Sequence, residues 1–239
     1  MSLVEATLAW LGDPAHWAGP AGIPTRLLEH VALSGAALLV AMAIAIPAGV
    51  VIGHTGRGLA LGANLANVGR ALPSLAVIGI VLPITAAIDP QAGFKVYPTL
   101  VAMVVLAIPP ILVNTQTGLR SVDREIVEAA RAMGMRPRQV IGRVELPLAL
   151  PAIVAGLRSA AVQVVATATL GAIFGGGGLG RYLVEGIAQR NEGMIFGGVV
   201  LVAGLALAVE GVFVGGERAL RSPGLRESTT VRTVRATNP

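Results

Sequence analysis

The chain has 239 residues, of which 54% are apolar and only 13% charged, and its mean hydropathy is +0.75. A soluble domain carries about 25% charged residues, so the composition excludes an ordinary soluble protein and indicates one all-α membrane bundle of a few helices. Cysteine is absent, which excludes disulfide frameworks, iron–sulfur clusters and thiol chemistry. The net charge of +5 lies in cations with no interleaved aromatic rings, which argues against a nucleic-acid partner.

Residues 1–30 are expected outside the membrane. They carry Glu5, Asp13, Arg26 and Glu29 and lack a basic start followed by an apolar core. No signal peptide is therefore expected, and the first apolar span directs insertion itself. Residues 3–11 suit a short amphipathic helix on the outer surface, broken from the first span by the prolines between Gly12 and Pro24. A spanning helix needs about 20 mostly apolar residues. Val31–Gly53, Ala71–Ile88 (beginning a turn earlier, near Asn64) and Val96–Leu119 are uncharged; Leu148–Gly171 and Ile195–Gly216 carry only Arg158 and Glu210. This predicts a polytopic bundle of five transmembrane helices over 31–216, and the length and Ala/Leu content of the runs exclude barrel strands. Residues 217–239 form a polar, Arg-rich tail.

Charge sets the orientation. If the polar loop 120–147 is cytoplasmic, the inside segments hold 13 basic residues against six acidic ones, and the outside segments hold four against six. That obeys the positive-inside rule with the N-terminus outside and the C-terminus inside. Trp10, Trp17, Phe94, Tyr97, Phe174, Tyr182 and Phe196 all fall at or beyond the outer ends of spans, the pattern of a one-sided interfacial belt.

The loop between the third and fourth spans carries the most information. Asp123 can cap a helix from Arg124 to Met133, with Gly134 as its left-handed stop. Ile126, Ala130 and Met133 share one stripe at helical spacing, and Ala129 and Ala130 keep the helix slim enough for another protein's groove to close around it. Pro137 suits the first turn of a second short helix, and Pro147 and Pro151 mark entry to the fourth span. Taken as a helix pattern alone, this could equally be an amphipathic connector resting on the membrane.

The order Glu128, Ala129, Ala130, then Gly134, then Val144, Leu146 and Pro147 resembles the coupling loop of the membrane subunits of ABC importers. Neighbouring stretches are similar to the osmoprotectant branch (glycine betaine, choline, carnitine): 70–76, 109–119, Val122 with Asp123, 145–151 and 175–180. The resemblance covers roughly residues 25–215, and its one departure is Val144 where Ile is common. It implies a type I importer permease fold, alternating access, and docking of Glu128, Ala129, Ala130 and Gly134 in a cleft of a separate cytoplasmic ATP-binding subunit. The implied partners are those subunits, a second permease copy or related permease, an extracytoplasmic substrate-binding protein and the lipid bilayer of a prokaryotic cell membrane. ATP and Mg would enter only through the partner. The chain lacks the Gly-x-x-x-x-Gly-Lys-Ser/Thr loop needed to hydrolyse ATP itself. Related importers carry methionine, sulfonates or phosphonates with the same loop, and an ion-coupled carrier is a rival that lacks the expected internal repeat.

Other signals are weaker. Gly175, Gly177 and Gly180 match a dinucleotide fingerprint only formally, since no strand precedes them; a glycine-rich bend near an external gate suits them better. Pro73, Ser74, Asn114 and Gln116 place prolines and polar groups within apolar spans, where path lining and helix packing are both open. Arg158 either lines the path, near Glu210, or snorkels to the interface. Gly49 with Gly53, and Gly211 with Gly215, suit close helix approach. His16, His30 and His54 lack metal-ligand spacing. A cation–π cage is improbable at 3% aromatic content, so affinity for a quaternary amine would reside in the binding protein.

Overall fold

A computed structural model describes residues 2–60, 62, 64, 67, 69 and 72–220, and among these no strand occurs. The helices are α1 (Leu3–Gly12), α2 (Ile23–Thr55), α3 (Ser74–Ile88), α4 (Ala92–Lys95), α5 (Tyr97–Arg120), α6 (Arg124–Ala132), α7 (Pro137–Val140), α8 (Leu146–Gly171), α9 (Gly180–Gln189) and α10 (Glu192–Leu220). Among the described residues four stretches are long and apolar enough to cross a bilayer: Ile23–Thr55, Tyr97–Arg120, Pro137–Phe174 and Glu192–Arg218. The fifth expected span is helical over Ser74–Ile88, 15 residues. That is about 22 Å at 1.5 Å per residue, short of a ~30 Å hydrocarbon core. Pro73 sits at its N-cap in an extended conformation, and the expected earlier start runs through positions that lie partly outside the described residues, Arg70 and Ala71 among them.

Small residues bring α2, α5 and α8 together. Ala37, Ala41 and Ala45 recur every four residues on α2 and are fully buried against Met103, Ala107 and Ile111 of α5 and Ala160, Val164 and Ala168 of α8. The glycines give the register. A Cβ at Gly49 would lie 2.7 Å from the Thr115 Cβ, and one at Gly53 would lie 2.8 Å from the Leu119 Cβ. Both partners advance by four, so α2 and α5 run parallel. Gly118 meets Ala152, Gly156 meets Asn114 and Gly171 meets Thr99, so α8 runs antiparallel to α5. Without a hydrophobic drive between helices in lipid, such backbone approach supplies the packing that holds a bundle. The second glycine pair behaves differently: among the described residues Gly211 and Gly215 face nothing within 4 Å, so they make no close approach there.

The interfacial-belt expectation fails for two rings. Trp10 and Tyr182 are 7% and 3% exposed and belong to a core with Ile23, Leu179 and Met194. Trp10 stacks on His16 with ring centroids 4.5 Å apart and meets Tyr182 edge-on at 5.0 Å. Gly193 and Gly197 of α10 lie under Trp10, so α1 is pinned to the bundle by its ring rather than resting free on the surface. The Tyr182 hydroxyl donates to the Ala21 carbonyl at 2.7 Å, and burial pushes its pKa up to about 12, so it stays a neutral donor. Trp17, Phe94, Tyr97 and Phe196 remain exposed.

The packing predicts unequal effects for the same substitution at two helical glycines. Gly156→Val would place a Cβ 2.6 Å from that of Asn114, whereas at Gly204 nothing lies within 4 Å. Thermal unfolding of the purified protein should show Gly156→Val destabilised by about 1–3 kcal/mol and Gly204→Val nearly unchanged.

Candidate functional site

The loop between α5 and α8 is ordered by its own caps. The Asp123 carboxylate accepts from the Glu125 N–H at 2.9 Å, which satisfies one of the donors left open at the start of α6. At the other end Gly134 adopts φ +84°. The Gly134 N–H donates to the Arg131 carbonyl at 2.9 Å and the Met135 N–H to the Ala130 carbonyl at 3.2 Å, the paired bonds of a Schellman stop. The expected cap and stop are both present. Pro137 opens α7, and the Arg136 N–H donates to Gln139 Oε1 at 2.8 Å.

The surfaces of α6 divide sharply. Ala130 is 3% exposed and faces the bundle, whereas Ile126 is 48% and Met133 77% exposed. The stripe expected from spacing therefore splits: its small central residue is buried and its two large ends are bare. Glu128 and Ala129 are exposed beside them, so Ile126, Ala129 and Met133 present an uncovered apolar strip next to the Glu128 carboxylate.

Between α7 and α8 the chain forms a π-helical turn, Ile141–Glu145, closed by the Leu146 N–H donating to the Ile141 carbonyl. Pro147 has no N–H to offer the Arg143 carbonyl and its ring crowds that group, so a widened turn just before it relieves the conflict. Val144 and Leu146 are half-buried and Pro147 is exposed. Glu145, in the same turn, is 5% exposed, and its Oε2 accepts from His54 Nδ1 at 2.6 Å. His54 ends α2, so this pair ties α2 to the loop. A notch beside it is lined by Arg120, Arg124, Glu128 and Arg131.

A second feature lies deeper in the bundle. Clefts of about 340 and 470 Å³ run between α5, α8 and the start of α3. Among the described residues their polar lining is Ser74, Asn114, Ser159, Gln163 and Thr167, with no charged group and no aromatic ring. Asn114 Nδ2 donates to the Pro110 carbonyl at 2.8 Å, which turns the amide oxygen away from its own helix backbone. Of the residues singled out from sequence, Ser74 and Asn114 meet here. Exposed Pro73 adjoins Ser74 without lining the clefts. Gln116 is 6% exposed and sits against Gly53 and Gly62 instead. Arg158 faces α10, with Nε 3.6 Å from Glu210 and Nη1 3.6 Å from Glu217. Its pairing with Glu210 matches one of the two readings of its neighbourhood, but on the side of α8 away from the clefts. Ser159, Gln163 and Thr167 escaped the sequence reading, although their four-residue spacing within an apolar span marks one face of a helix.

At the far end of α2 the glycine-rich bend 175–180 is fastened. The Gly178 N–H donates to Glu29 Oε2 at 2.8 Å and the Leu179 N–H to His30 Nδ1 at 3.2 Å. His30 Nε2 then donates to the Val165 carbonyl at 3.0 Å. Gly178 adopts φ +86° over the His30 ring, a conformation that side chains disfavour.

Residues 36–226 match the family model described as "Binding-protein-dependent transport system inner membrane component". The chain belongs to this family. It is 34% identical over 201 residues, 84% of this chain and 89% of the other, to the choline transport system permease protein OpuBB of Bacillus subtilis. It is 33% identical over 200 residues, 84% of this chain and 88% of the other, to the carnitine transport permease protein OpuCB of Listeria monocytogenes. Among solved structures it is similar to a chain of the MetNI methionine ABC transporter in an inward-facing form. The TM-score is 0.72 at 24% identity, over 82% of this chain and 94% of that one. The fold is that of a type I ABC importer permease, and the chain is a transport subunit of the membrane rather than an enzyme.

In this permease the α6 stop depends on Gly134. Gly134→Ala forces a left-handed conformation on a residue with a Cβ, at about 1–2 kcal/mol. Hydrogen exchange should show the α6 amides opening roughly tenfold more often, with the α2 and α5 amides unaffected.

Proposed function

We propose that this permease is the membrane subunit of an ATP-driven importer of small osmoprotectants, with glycine betaine, choline and carnitine as candidate substrates. The observation that carries the reading is the bare strip of Ile126, Ala129 and Met133 beside Glu128, on a helix stopped at Gly134 and joined to two spans. Apolar side chains of that size at a membrane-flanking loop call for a protein cover. A cleft in a cytoplasmic ATP-binding subunit would provide it, with Glu128, Ala129 and Gly134 as the contact, the expected fourth residue Ala130 being turned into this chain's own bundle, and with Val144, Leu146 and Pro147 as the rigid lead into α8. ATP and Mg bind that subunit, not this chain.

The arrangement in the plasma membrane of a prokaryote follows. The stretch from near Asn64 to Ile88, which includes α3, makes a fifth crossing, the N-terminus lies outside and the loop inside. A second permease completes the path, and a binding protein delivers substrate at the end where 175–180 lies. Ser74, Asn114, Ser159, Gln163 and Thr167 line this subunit's half of the path. Neutral amides and hydroxyls, with no cage of rings, suit brief contact with a zwitterion or quaternary amine rather than tight capture. The names of the two relatives support this substrate class.

Two measurements test the reading. Ile126→Asp or Met133→Asp should weaken co-purification of the ATP-binding subunit at least about 30-fold, the effect of removing a buried anchor; retention at the parental level contradicts docking at α6. Gln163→Leu should lower uptake of radiolabelled glycine betaine, choline or carnitine about tenfold, as expected for one lost hydrogen-bonding group, with the ATP-binding subunit still bound. Unchanged uptake would remove the clefts from the path.

A further inference from the structure

We propose that His54 and Glu145 form the strut by which movement of the loop reaches α2. The inference rests on the coupling role proposed for α6 and adds the residues that carry the motion onward. Three observations converge on this pair. Glu145 is a carboxylate 5% exposed, and a buried charge persists only where something holds it; its holder is His54 Nδ1 at 2.6 Å. The pair joins elements 91 residues apart, the end of α2 and the π-helical turn Ile141–Glu145. π-helical turns recur at functional positions because their register is easily shifted. Finally, the pair borders the notch whose other wall is α6, through Arg124, Glu128 and Arg131.

The mechanical sequence follows from connectivity. A partner that displaces α6 displaces α7 and the π-helical turn, which continue directly into α8. Glu145 moves with that turn and draws His54 with it. α2 is helical over all 33 residues, with Pro47 inside it, and Gly49 and Gly53 clamp the segment beyond that proline on α5, so motion at His54 reaches the first turns of α2, where Glu29 and His30 hold Gly178 and Leu179. The pair thereby adds a polar tie between the turn and α2, whose other end holds the glycine-rich bend. His54 and Glu145 are positioning residues: neither lines the clefts.

The test uses the complete complex with its ATP-binding subunit in vesicles, and it does not depend on the substrate. The chain has no cysteine, so Ser74→Cys places one thiol of this subunit in the cleft, and its labelling rate is read with and without ATP. In the parent, ATP should change that rate at least about tenfold. His54→Leu should reduce the change to less than about twofold while the ATP-binding subunit still co-purifies, a loss in the range of ordinary coupling free energies. His54→Asn, whose amide nitrogen overlays Nδ1, should retain the change, and so should Glu145→Gln, which keeps an acceptor.

A full ATP-dependent change in His54→Leu overturns the strut and leaves coupling through α6 standing. Loss of the change in both conservative variants overturns it as well, since a polar link at that place would then be insufficient. Absence of any ATP effect in the parent, with the partner bound, overturns the coupling reading and the strut together. Should His54→Leu fail to reach the membrane, the two conservative variants still decide.

Discussion

The close approach of α5 to α2 on one side and α8 on the other is the constraint from which the rest follows. In lipid, apolar side chains gain little by leaving their surroundings, so association depends on how near the backbones come. Gly49 and Gly53 on α2, Gly118 on α5, and Gly156 and Gly171 on α8 each sit where a Cβ would meet the neighbouring helix at 2.6–2.8 Å. The alanine stripe of Ala37, Ala41 and Ala45 continues the seam. Three helices packed this closely form the core of the bundle, and everything with a functional meaning is attached to its ends or cut into its side.

The two ends of α2 make that arrangement specific. At one end Glu29 and His30 accept backbone N–H groups from the glycine-rich bend. At the other, His54 meets the buried carboxylate of Glu145. Each contact brings together parts of the chain far apart in sequence, and each includes a buried polar residue, His30 or Glu145. The loop beyond Glu145 is different in kind. Its caps at Asp123 and Gly134 are satisfied locally, while its apolar strip is left uncovered by this chain. Local order combined with an uncovered strip is what a docking element requires: it is shaped before its partner arrives.

The clefts bounded by α3, α5 and α8 draw on the same economy. Ser159, Gln163 and Thr167 share one face of α8, and Asn114 stands opposite on α5. Arg158 is one residue away from Ser159 and yet points to α10 and its two glutamates. A helix rotates side chains by about 100° per residue, which is enough to send a charge and a hydroxyl into different environments.

Composition and span length sufficed to establish an all-α membrane bundle, and the residues around Glu128 and Gly134 sufficed to identify the loop, because caps, stops and polar loops obey rules that act within a few residues. The Asp123 cap, the left-handed Gly134 and the Pro137 helix start were legible for that reason. What depended on neighbours was not. Trp10 and Tyr182 look like interfacial rings until α1 and α9 fold over them. Gly211 and Gly215 look like Gly49 and Gly53 but face no helix among the described residues. Gln116 and Asn114 are two residues apart, and only the packing of α5 sends one into the core and the other into the clefts. The sequence by itself determined which segments are helical, where the loop begins and stops, and which family the motif resembles. Tertiary structure alone decided which neighbour each face meets, and so paired His54 with Glu145, because a stripe of small or polar residues on an apolar helix marks a face without naming its partner.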